Sequence, residues 1–394
     1  PSGITWTGAT SNSWNTATNW STGVVPTSTD DVRIPGGTPY APTLSGVPTT
    51  FSVRNLTIDG GSNGSIELAN KTLQVYGDVV APLSAEAVTC NDCGGSFHLS
   101  GGAASPRSVV GWFTSVVVDG AYKVSGTGNR LIVTNTLNMD GSGNLTVNGG
   151  RVDVGGLSTT SDATFTMANT ADSVFVGSSG ASFGGGSTAG KLTAGTMTIT
   201  DGTLTSSSNY FAPSGTHKVV FAGTNDYVTF SSVSSYFQDV TVNAGTTFHL
   251  SSDVVVKGTL AHNASTGTTT IASASGNRTL TVSGLNLTSS NNTTFTNVLL
   301  KLIDGTSNAT FSNATFTGYA SAGGGALFEV NRTGGPYTFG ILDFGSVGFD
   351  ATSTQHYVKN SGAADITVNT NNSGSSGSTY VTTGGTITWT PGTI

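Results

Sequence analysis

The sequence predicts an all-β chain wound as a parallel β-solenoid. Three observations carry that expectation: a degenerate phrase recurs about every sixty residues, charge is scarce, and strand-like runs follow one another with no helical segment between them. The phrase reads RNLTIDGG at 54–61, TSVVVDGA at 114–121, DSVFVGSS at 172–179, QDVTVNAG at 238–245 and TNVLLKLIDG at 296–305. Each copy alternates apolar and polar residues, many of them β-branched, and closes in Gly, Asp or Asn, as a strand followed by a turn does.

Charged residues make up 9% of the 394 positions while Gly alone takes 55, so polarity is carried by Ser, Thr, Asn and Gly. Such residues crowd or compete with a helical backbone and disfavour helices. Disorder is the rival explanation of so much Gly and Ser, and it fits NNSGSSGS at 371–378. Elsewhere the apolar 36% falls in strand patterns that a core can use. Runs such as SIELANKTLQVYGDVV at 65–80, LIVTNTLNM at 131–139, NLTVNGGRVDVGG at 144–156, KLTAGTMTIT at 191–200 and TLTVSGLNLT at 279–288 set the spacing. A β-sandwich has no reason to hold one phrase in register, whereas a stacked coil does. With about three coils to each repeat, the solenoid would hold on the order of fourteen coils in a rod of about 70 Å. Asn and Thr at repeated turn positions would form ladders along it.

Residues 1–50 do not share the repeat and read as an N-terminal cap. Trp6, Trp14 and Trp20 lie close together there, followed by Pro26, Asp30, Asp31, Pro35, Pro39 and Pro42. Three neighbouring indoles suit a cluster covering the first coil; the competing reading is a sugar-stacking platform. Residues 51–350 form the β-solenoid repeats, with a loop expected to protrude over about 81–112, where the coil pattern breaks and Trp112 closes the segment. Residues 351–394 are C-terminal strands and a possible assembly segment.

The run of TWTG, WNTATNWS and GVVPTSTDDVRIP into NLTID and LQVYGDV resembles the opening of large secreted bacterial surface proteins, adhesin-like and autotransporter-passenger-like, with Gly, Thr and Asn-rich β-helical repeats. The resemblance covers about the first 80 residues and continues only as a repeat style. It implies attachment, matrix building or surface coating, and it brings no catalytic residues. A C-terminal membrane barrel, part of the autotransporter pattern, is not found.

The chain starts at Pro1, which suggests a mature form after signal-peptide removal. No apolar run approaches the length of a bilayer span, so membrane insertion is not expected. A net charge of −7 with scattered Lys and Arg argues against nucleic acid. The expected location is secreted, extracellular or cell-surface. Cys90 and Cys93, in TCNDCGG, are the only cysteines. A lone C-x-x-C can be a redox motif, half a zinc site or a local disulfide, and the disulfide suits an exported chain.

An enzyme is the competing class, since β-helices host polysaccharide lyases and hydrolases. Glycoside cleavage needs facing carboxyl groups, and Glu67, Glu86 and Glu329 are far apart in sequence. Asp59, Asp119 and Asp304 sit at turns, where a carboxylate caps its own backbone. Asp30 and Asp31 offer a calcium reading beside the simpler one of a solvated strand entry. His98, His217, His249, His262 and His356 have no motif partner. No catalytic residue, cofactor or metal is therefore expected.

Sequons crowd between 263 and 331, at Asn263, Asn277, Asn286, Asn291, Asn292, Asn308, Asn313 and Asn331, with others at Asn19, Asn55, Asn63, Asn70, Asn144 and Asn371. Composition alone produces many, but the crowding marks a candidate glycosylated face. Finally, ITWTG at 4–8 is echoed by ITWTPG at 387–392. Strand addition of one terminus onto the other, through Ile4, Trp6, Ile387 and Trp389, would give a head-to-tail homopolymer. The reading is an extracellular structural protein, a filament subunit or alternatively a monomeric adhesin stalk that binds surface glycans, with a polysaccharide-degrading enzyme third.

Overall fold

Alternation fixes the strands, because a period of two sends every second side chain to one face. In Arg151–Thr159, Val152, Val154 and Leu157 are buried while Asp153 and Ser158 point outward. The structure is a computed structural model that describes residues 3–91, 94–102, 104–263, 267–288, 292–305, 308–318, 326–343, 356–370 and 380–391. The chain divides into two units, Pro1–Thr196 and Met197–Ile394, and both are parallel β-solenoids. About 14 turns are wound in all. The one helical element among the described residues is a 3-10 turn, Ala17–Asn19.

In the first unit, one ladder runs from Ile4–Thr5 through Val32–Ile34, Leu56–Ile58 and Val79–Val80 to Arg107–Phe113. Its inward column is Ile4, Val32, Leu56, Val79 and Val109, each at 7% exposure or less. Farther on, Leu131, Val152 and Val174 stack, as do Val133, Val154 and Val176. Like residues recur because each coil offers the next the same inward slot, which is why the sequence phrase persists.

The segment 81–112, expected to protrude, instead contributes strands to the ladders: Val88–Thr89, Ser96–Leu99 and Arg107–Phe113. Phe97 pairs with Leu73 and Val109 with Val79, both facing inward. Gly and Ser in the connecting turns dilute the alternation without ending it.

In the second unit, aromatic side chains form the core columns. Phe221 and Phe248 stack with centroids 4.1 Å apart, and Phe295 on Phe316 and Phe311 on Phe339 at 5.0 Å. The strands His356–Asn360, Ile366–Thr370, Tyr380–Thr382 and Ile387–Pro391 pair in parallel with their predecessors and continue these ladders. The stretch 371–378 lies outside the described residues.

Coils stack so closely at some turns that only glycine fits. A Cβ on Gly186, whose φ is +62°, would stand 1.8 Å from the carbonyl oxygen of Ala163. That is a hard clash with backbone.

Candidate functional site

The N-terminal end is built around the three indoles. Trp6 and Trp14 are 0% exposed and Trp20 3%. Trp20 meets the other two edge-on, with ring centroids 5.0 Å from Trp6 and 4.6 Å from Trp14. The Trp6 indole N–H donates to the Tyr40 carbonyl and that of Trp20 to the Trp14 carbonyl, both at 2.8 Å. No indole face is open to a sugar, so the cluster is a cap.

The backbone around the cap matters as much as the rings. Trp6 and Trp20 form an antiparallel bridge, in which the Thr7 N–H donates to Asn19 O and the Ser21 N–H to Thr5 O. The Thr5 N–H donates to Ser21 Oγ at 3.0 Å. Residues 19–21 thereby cover the outer edge of the first strand, whose inner edge pairs with Val32–Ile34. The Asn19 amide locks the cover: Oδ1 accepts from Thr10 N and Ser11 N, and Nδ2 donates to Ser11 Oγ and Ser13 O. Ile4 and Trp6 are thus buried, Ile4 paired with Val32 on the inner side and Trp6 held on both, by Arg33 O and by its bridge to Trp20. At the other terminus, Ile387 and Trp389 pair with Ile366 and Val368, and the Trp389 side chain lies outside the described residues.

The carboxylates follow one rule, which is that most bind the neighbouring coil. Asp31 takes a two-pronged bond from Arg54 at 2.7 Å and a third from Asn55, and the Arg54 contact leads the effects that hold its carboxyl below the usual range. Asp30 accepts from Thr27 N and Oγ1. Asp78 takes the Ser108 N–H, Asp239 the Thr259 N–H, Asp253 the Thr279 N–H and Asp304 the Thr333 N–H, each 20 to 30 residues away. Asp172, 1% exposed, accepts from the amides of Gly149, Ala168 and Asn169. The glutamates do likewise: Glu67 binds Thr89 and Asn91, Glu86 binds Thr114 and Thr134, and Glu329 binds Ser361 and Lys301.

The histidines are held apart. His98 Nδ1 lies 2.9 Å from Asp119 Oδ2 and its Nε2 3.1 Å from Ser96 Oγ. His217 is fully buried against Phe211, and burial pushes it down to about 4. His249 stacks on Tyr227 at 4.4 Å, and His262 meets Thr293. The side chain of His356 lies outside the described residues. Sequence reading missed the Ser96, His98 and Asp119 arrangement because Asp119 comes from the next coil; Ser and His two apart on one strand were the only local signal.

Cys90 is buried, with Sγ 3.8 Å from Gly95 O, and Cys93 lies outside the described residues. Among the sequons, Asn263, Asn286, Asn308 and Asn331 are exposed, Asn277, Asn292 and Asn313 are half-buried, and Asn291 lies outside the described residues. Asn55 is spent internally, donating to Asp31 and accepting from Asp78 N. No helix among the described residues is long and apolar enough to cross a membrane.

Comparison with curated proteins and with solved structures gave no significant match. Residues 5–92, which span the cap and the first coils, match a family described as a domain of unknown function (DUF8693).

Proposed function

We propose that this chain is an extracellular structural protein, a β-solenoid spacer of a cell surface or matrix whose N-terminal end is closed by its own chain. The observation that supports this reading is the use of carboxylates as staples. Side chains that would serve catalysis or ligand binding are engaged on the adjacent coil, at Asp31, Asp78, Asp172, Asp239, Asp253 and Asp304. Such cross-coil bonds resist shear between coils and owe little to surface charge. The role is mechanical: to hold whatever is attached at a fixed distance, with many weak contacts adding up. Exposed Asn263, Asn286, Asn308 and Asn331 are the positions at which sugars would decorate it.

Head-to-tail polymerisation is the second reading, favoured by the matched ITWT strands. It requires the edge at Thr5 and Thr7 that residues 19–21 occupy, so a filament would form only when that cover swings away. Sedimentation velocity over a wide concentration range separates the two. A single species of constant sedimentation coefficient is expected of the spacer; growth in mass with concentration would replace it with the filament.

A further inference from the structure

Ser96, His98 and Asp119 stand in a hydrogen-bonded line on the outward face of the first unit's sheet. We propose that Ser96 is an activated nucleophile that accepts an acyl group from an activated ester. Ser96 and His98 share a face because they lie two apart on the strand Ser96–Leu99. Asp119 follows Val116–Val118, which pairs with that strand through Val117 and His98. Strand alternation sets Ser96 beside His98, and the coil register adds Asp119.

Proton positions follow from the acceptors. An ionised carboxylate only accepts, so the imidazole N–H is on Nδ1, facing Asp119 at 2.9 Å. Nε2 is then the acceptor for the Ser96 hydroxyl at 3.1 Å. Thr72 Oγ1, 3.1 Å from Ser96 Oγ, supplies the hydrogen bond that Ser96 receives in turn. This is the order that general-base activation of a serine requires: nucleophile, base, and a group that orients the base. Burial raises the Asp119 carboxyl, but hydrogen bonding led by His98 outweighs it and leaves the group below its usual range, in keeping with an ionised partner. Asp119 is a positioning residue in this scheme, since it acts through His98.

The step balances without a cofactor. Ser96 Oγ attacks the ester carbonyl as His98 Nε2 takes the hydroxyl proton; the C–O bond to the leaving group breaks, and that group departs with the proton. Water attack on the acyl-serine reverses the roles and returns free Ser96 and a carboxylic acid. The three residues are half-buried, with His98 and Asp119 side chains 23% and 33% exposed, so an ester carried on an extended chain can reach them. Among the described residues Thr72 is the hydroxyl bonded to Ser96 Oγ, a sparse donor set that suits esters with good leaving groups better than amides.

A fluorophosphonate probe tests this on the full chain. The Oγ–P bond forms at Ser96, the P–F bond breaks and fluoride leaves, giving a covalent adduct that peptide mass spectrometry locates. The proposal expects the adduct on Ser96, none there in Ser96→Ala, and labelling slowed at least about 100-fold in His98→Gln and about 10-fold in Asp119→Asn. Glutamine keeps hydrogen bonds to both neighbours but cannot take the proton, so a merely structural His98 would leave labelling unchanged. No adduct on Ser96 in the wild-type chain, which needs no variant to fold, would overturn the proposal, as would equal rates in His98→Gln.

Discussion

Trp20 lies across the outer edge of Trp6, bonded to it as an antiparallel bridge and packed edge-on at 5.0 Å. A parallel solenoid's first strand leaves a row of amides and carbonyls unpaired, and such edges recruit other chains. Here the chain turns back and pairs its own edge, antiparallel where the strand's other edge runs parallel to Val32–Ile34.

Trp20→Ala should destabilise the first unit by about 3–5 kcal/mol, because a large, fully packed ring is lost. It should also release the Thr5 and Thr7 edge, so the variant associates at concentrations where the wild type does not. Chemical denaturation and sedimentation velocity check the two parts separately.

Asp172→Ala should cost about 1–3 kcal/mol, since it removes a carboxylate that is itself 1% exposed and that accepts from three backbone amides. Asp172→Asn keeps one acceptor oxygen and should lose less. Arg33→Ala, which breaks the exposed pair with Asp59, should leave denaturation unchanged. Equal losses at Asp172 and Arg33 would contradict the stapling argument.

The strands and their inward residues were legible in the sequence because alternation is local: Leu131, Val133, Leu145 and Val147 announce their face within a few positions. Cross-coil partners were not legible, because they depend on register. Asp119 reaches His98 and Asp31 reaches Arg54 only after coil length is fixed. The loop expected over 81–112 arose from Gly-rich turns that hid Phe97, Leu99, Val109 and Phe113, which are all buried. The cover at residues 19–21 carries no repeat at all, and its lock depends on one buried amide, Asn19.

His217 makes the second unit acid-sensitive. Its folded value of about 4 lies below the ordinary 6.5, so the unfolded chain binds the proton first. The stability this confers is complete above about pH 6.5 and is lost as pH falls towards 4, by about 3 kcal/mol in all. His217→Leu should remove that part of the pH dependence. The difference between the two proteins, measured by denaturation from pH 7 to 4, isolates it from Asp226, whose buried carboxyl is shifted up and acts in the opposite sense.

Arg332, 2% exposed, ties three coils together. Its guanidinium donates to the carbonyls of Ser283 and Ile303 and to the Tyr337 hydroxyl. Arg332→Lys keeps the charge but not the fork, and should lose about 2 kcal/mol. Thermal unfolding of the second unit reads this directly, and an unchanged midpoint would mean that charge alone suffices.

Pulling single molecules from their two termini tests the mechanical account most directly. Adjacent coils repeat every 20 to 30 residues, as Val32 to Leu56 and Leu131 to Val152 illustrate. Stapled coils should therefore peel in a series of force peaks, each releasing about 70–100 Å of chain. Smooth extension at low force, with no steps of that size, would contradict a spacer whose coils are individually held.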